Sequence, residues 1–155
     1  MRIKDETFGE LQYEFGWSRT ITLNFFGDTT EMDLMIDGEE EGEFDEGQYI
    51  AYKALMNSWE AIQHSVLTAI LSYYKRKRIE LGYDKSLNEK YPLVETTHEL
   101  LEMISLEGLV VPYADIFEAR HIGLTLNCSW DNENGIGIRL LNEEVSEVGY
   151  QDVAI

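Results

Sequence analysis

The chain has 155 residues, 44% of them apolar, and 30 acids against 12 bases give a net charge of −18. That length buries a self-sufficient core, so one domain spanning 1–155 is expected. The charge disfavours nucleic acid and anionic membranes, which require clustered cations; it would attract a basic protein partner, or serve solubility alone.

Gly9 to Asp37 reads as strands. Leu11, Tyr13 and Phe15 alternate with polar residues, as do Ile21, Leu23 and Phe25, and then Met32, Leu34 and Ile36. Such period-two alternation gives one buried and one solvated face. The breaks G-W-S and G-D-T are short enough for hairpins, so a three-stranded antiparallel meander is predicted. Glu39 to Glu46, E-E-E-G-E-F-D-E, is too polar to pack and reads as a solvated loop. Its Asp45 or Glu46 suits a helix start, where the macrodipole favours acids.

From Gln48 to Arg78, apolar residues recur every three or four positions: Tyr52, Leu55, Met56, Trp59, Ile62, Val66, Leu67, Ile70 and Tyr74. This is one helical stripe. It ends in the cations Lys75 to Arg78, with Gly82 as the C-terminal cap. A length near 45 Å predicts a kink or break. Residues 82–94 read as a connection with a helical turn before Pro92, and Thr97 to Ile104 as a short amphipathic helix capped by Thr96 or Thr97.

Alternation returns with Leu109 to Val111, then Ile122 to Trp130, then Ile136 to Leu140, a turn at Leu141 to Glu144, and Val145 to Val148. Strands, helices, then strands give an α+β domain: one antiparallel sheet of about six strands. A long central helix and a shorter one cover one face.

The polar stretch W-D-N-E-N-G, from Trp130 to Gly135, fails as an EF-hand, because positions one and twelve are Trp130 and Leu141. Asn134-Gly135 is a hairpin signal, and Asp131 and Asn132 are local turn formers. Trp130, Asp131, Glu133 and Gly135, with Asp152, remain the candidate ligand loop. No nucleophile elbow, Walker loop or dinucleotide fingerprint is present. One cysteine and three scattered histidines give no zinc spacing, so no metal, cofactor or catalytic residue is assigned. His98 and Glu102 brush past a metalloprotease motif and read as helix decoration. Cys128 falls on the buried face of its strand and reads as inert. Lys75 to Arg78 read as a charged helix end.

The run C-S-W-D-N-E-N-G-I-G-I-R-L, followed by E-V-G-Y-Q-D-V-A-I, resembles the C-terminal signature of a bacterial domain family of unknown function. Members of that family carry a W-D-x-E-x-G-x-G-like turn and a V-G-x-Q-D-I-like ending. F-G-E-L-Q-Y-E-F-G-W is similar to their opening strand. The resemblance covers most of the chain, loosely through the middle helices. It implies an α+β domain and brings no activity; related small acidic domains are suspected immunity proteins, an analogy only.

The residues favour a non-enzymatic binding protein, with an immunity-type inhibitor of a basic toxin as its most specific form. Glu39, Glu40, Glu41, Glu43, Asp45 and Glu46 would steer the partner, and Phe44 and Tyr49 would anchor it. The rivals are a carboxylate or divalent-cation enzyme at the Trp130–Gly135 hairpin, and an oligomeric regulatory module. The N-terminus lacks the apolar run of a signal peptide, no stretch reaches membrane-span length, and the single cysteine excludes an internal disulfide. A cytoplasmic location is therefore expected.

Overall fold

Alternating residues at both ends of the chain build one open sheet in the computed structural model, which describes residues 1–83 and 88–155. Eight strands lie in sequence order: β1 (Arg2–Asp5), β2 (Gly9–Tyr13), β3 (Trp17–Phe25), β4 (Asp28–Ile36), β5 (Ile104–Val111), β6 (His121–Cys128), β7 (Ile136–Leu141) and β8 (Glu144–Gly149). Two helices, α1 (Glu46–Glu80) and α2 (Thr97–Leu100), separate β4 from β5, and a 3-10 turn at Gln151–Ala154 ends the chain.

The sheet is thus mixed and eight-stranded, not antiparallel with about six strands. Each half is an antiparallel meander, but β4 and β5 run parallel, with Leu34 beside Leu109 and Ile36 beside Val111. The reason is the connection. A tight turn reverses a strand, whereas a crossover helix returns the chain to the end where the previous strand began. β1 went unread because R-I-K-D has a single apolar residue, Ile3, too little for a periodic signal.

The predicted stripe faces the sheet. Leu55, Trp59, Ile62, Val66, Leu67, Ile70 and Tyr74 are buried, while Tyr52 and Met56 pack at its margin. The kink expected from length does not occur, and α1 is one run of 35 residues. No proline or glycine interrupts it after Gly47, and the sheet beneath supplies packing along its length. Gly82 ends it at φ +82°: its N–H donates to Ile79 O, and that of Tyr83 donates to Arg78 O. This is a Schellman closure.

The predicted helix from Thr97 stops at Leu100, short of Ile104. Ile104 already pairs with Cys128 in β5, and Met103 O accepts from Ser129 N–H. Thr96 is the cap, its Oγ1 accepting from Glu99 N–H at 3.3 Å. The helical turn expected before Pro92 falls partly on 84–87, outside the described residues; 88–96 contain none.

The face of the sheet turned away from α1 (the back face) divides in two. Across β6 and β7, positions expected in solvent are buried, including Gly123, Thr125 and Gly137. The terminal 3-10 turn lies on them. A Cβ at Gly123 would sit 2.0 Å from Ala154 O, and one at Gly137 would sit 2.3 Å from Tyr150 O. Only glycine admits backbone that close. Across β3 and β4 the same face is bare: Thr20, Thr22, Asn24, Glu31 and Asp33 are all exposed.

Candidate functional site

The acidic loop is exposed as expected, but it is not slack. The residues Glu39, Glu40, Glu41, Glu43 and Asp45, with Glu46 at the start of α1, are all exposed while Phe44 turns inward. The Phe44 ring meets Phe8 edge-on at 5.4 Å and contacts Trp17 and Tyr49. A Cβ at Gly38 would sit 2.6 Å from that ring, so the loop can close over Phe44 only with a glycine there.

Hydrogen bonds fix the loop from three directions. Trp17 Nε1 donates to Glu39 O at 2.8 Å. Tyr113 donates its hydroxyl to Glu39 Oε1 at 2.9 Å, and Ala114 N–H donates to Asp45 Oδ2 at 3.1 Å. Gln48, buried in the first turn of α1, accepts from Asp45 N–H at 2.8 Å. Its Nε2 donates to Asp37 O and Val111 O. Each bond contributes on the order of 1 kcal/mol and, more to the point, removes freedom before any partner arrives.

Electrostatics follow the geometry. The Tyr113 phenol is pushed up to about 12, first by its bond to Glu39, then by desolvation, and then by the charges of Glu39, Asp37 and Asp45. Burial lifts the Asp37 carboxyl above its ordinary value, against a backbone hydrogen bond from Tyr113. Tyr49 is no exposed anchor. It stacks on Phe8 and gives its hydroxyl to Asp5 Oδ2 at 2.6 Å, so the phenol rises to about 12 through burial and that bond.

The hairpin candidate resolves into turn chemistry. Asp131 Oδ1 accepts from Asn134 N–H and Oδ2 from Asn134 Nδ2, while Gly135 N–H donates to Asp131 O. Burial alone would raise the Asp131 carboxyl, but hydrogen bonds from Asn134 and the Glu133 amide outweigh it and hold it low. Of the Asn134-Gly135 pair, Gly135 alone has positive φ, +58°. Trp130 is buried against Tyr74, Glu133 is exposed, and Asp152 is exposed on the terminal turn. Among the described residues, no group of three or more His, Cys, Asp or Glu is placed to hold a metal ion.

What the hairpin meets is the chain's own end. Gln151 N–H donates to Asn134 O, and Gln151 Nε2 donates to Leu126 O at 3.0 Å and Glu107 Oε2 at 2.7 Å. The two C-terminal sequence signatures are therefore two halves of one lock. Their spacing along the chain gave no hint of that contact.

Four of the other chemistry-bearing residues, Cys128, Lys75, Lys77 and Arg78, are engaged structurally. Cys128 is buried, its thiol pushed up to about 11 by burial. Lys77 sits over the Tyr150 ring, Lys75 reaches Glu95, and Arg78 Nε donates to Tyr91 O. Glu102 lies beyond the end of α2, so it shares no helix face with His98. Sequence reading missed Gln48, Tyr113 and Ala114, which bring β5's end and α1's start to the loop. Asp45 followed three residues later by Gln48 is a capping-box signature that could have marked Gln48, whereas nothing local marks Tyr113 or Ala114.

The chain belongs to the family described as Domain of unknown function (DUF6985), whose model matches residues 7–155. No curated protein and no solved structure matches it. Among the described residues, no helix is long and apolar enough to cross a membrane.

Proposed function

We propose that this member of the family is a non-enzymatic, cytoplasmic binding protein whose acidic loop captures a basic protein. A bacterial immunity-type inhibitor of a basic toxin is its most specific form. One observation carries the reading: five exposed carboxylates stand on a loop pinned by Trp17, Gln48, Tyr113 and Ala114 around the inward Phe44, and a sixth, Glu46, opens α1 beside them. Holding like charges together opposes folding, and the surrounding bonds offset that cost. A pre-ordered anionic surface binds a cationic one with less ordering entropy to lose, and its field speeds encounter.

The test is affinity capture of a basic partner, followed by association kinetics at two salt concentrations. Replacing Glu39, Glu40, Glu41 and Glu43 by Gln is expected to slow association about tenfold at low salt and less at high salt. Capture of no basic protein, or association indifferent to salt and to these substitutions, would overturn the reading. Where a toxin gene neighbours this one, co-expression should rescue growth.

A further inference from the structure

The acidic loop begins where a second feature ends. On the bare half of the back face, two depressions share the β3–β4 strand pair. One, of about 280 Å³, is lined by Glu14, Phe15, Ser18, Met35 and Asp37. The other, of about 290 Å³, is lined by Thr20, Glu31, Asp33, Glu107 and Asn127. Ser18 pairs with Met35 and Thr20 with Asp33, so the two depressions sit on consecutive back-face rungs, end to end, and are together called the trough. Its far wall is the lock, where Glu107 holds Gln151.

Two properties set this trough apart. First, it offers apolar anchors. Phe15, at the tip of the β2–β3 connection, is 100% exposed, and Met35 is 37% exposed across Gly108. Alternation assigned Phe15 to a buried face, but β2 ends at Tyr13 and the side chain is left in water. Second, its charge has one sign. Glu14, Glu31, Asp33, Asp37 and Glu107 line it, and no Lys or Arg does. None of the ion pairs among the described residues uses these five acids.

The geometry points to the trough as the docking groove for an extended Lys/Arg-rich segment of the partner, with Phe15 and Met35 gripping an apolar side chain beside its cations. This rests on the basic-partner reading and names a surface for it. The anionic lining matches a cationic occupant, and it repels a second copy of this chain at −18. An aromatic with an apolar neighbour, ringed by carboxylates, is the arrangement of an interface anchor inside a polar rim. Asp37 carries the trough into the acidic loop, so one basic protein can engage both.

The test is an NMR titration of the full chain with a Lys/Arg-rich dodecapeptide carrying one Trp, beside a Glu/Asp-rich control. Expected are amide shifts along Ser18, Thr20, Asp33 and Met35, and a Kd weakened about tenfold by Phe15→Ser with Met35→Ser. Circular dichroism checks that the double variant folds; the single Phe15→Ser, at a fully exposed site, serves if it does not. Shifts confined to 39–46, or unchanged affinity in the folded variant, overturn the groove and leave the basic-partner reading standing. No binding of the cationic peptide at low salt sinks both. Concentration-dependent self-association abolished by Phe15→Ser would assign the groove to a second copy instead and overturn the proposal.

Discussion

The back face of the sheet carries two halves built from similar strands with opposite fates. β3 and β4 place Thr20, Thr22, Glu31 and Asp33 there, and water covers them. β6 and β7 place Gly123, Thr125 and Gly137 there, and the chain's own C-terminal turn covers them. Threonine occurs on both sides, so polarity does not decide the matter. Glycine does: without a Cβ the strand surface is low enough for another backbone to lie flat on it. One half spends its face on holding the fold, and the other keeps its face free.

The comparison breaks first at Gly123. Gly123→Val drives a branched side chain into the Ala154 backbone and should cost about 3 kcal/mol or more in chemical denaturation, by expelling the terminal turn. If stability changed by less than about 1 kcal/mol, the turn would be contributing little.

A smaller effect sharpens the covered half. His121 is 7% exposed and neither ring nitrogen has a partner. Burial, then the charge of Arg139, lowers its pKa from the ordinary 6.5. A depressed value favours the neutral form in the folded state, so this contribution is complete above pH 6.5 and is lost as pH falls through the depressed value. His121→Leu should gain about 1 kcal/mol at neutral pH by removing an orphaned polar ring. It should also flatten the stability profile below pH 6.5 relative to the parent chain. An unchanged acid profile would show that His121 stays solvated.

The smallest effect is expected on the bare half. Thr22→Val should alter stability by no more than about 0.5 kcal/mol, because nothing packs on it. A larger loss would mean that this face is covered in solution.

Much of the strand content was legible in the sequence. Met32, Leu34 and Ile36, like Leu124, Leu126 and Cys128, alternate as strands with an apolar face must, and both sets are buried. The helix stripe was equally plain, because its spacing is local. What escaped depended on contacts between distant residues. Gly123 looks like a solvated position until Ala154 arrives, and Phe15 looks buried until the strand is seen to stop two residues earlier. At the acidic loop, exposure followed from composition alone. Most of its rigidity did not, because Trp17, Tyr113 and the Val111 carbonyl held by Gln48 reach it only in the assembled sheet; the Asp45–Gln48 capping box alone is local.

An open sheet has two rims, and here they are β1 and β8. Strand addition by a neighbouring molecule would bring side chains to within a strand spacing of about 4.8 Å. β1 offers four residues, three of them the charged Arg2, Lys4 and Asp5, and β8 would bring the acids Glu144 and Glu147 to any added strand. Eight strands can therefore be held side by side without templating a ninth from another molecule.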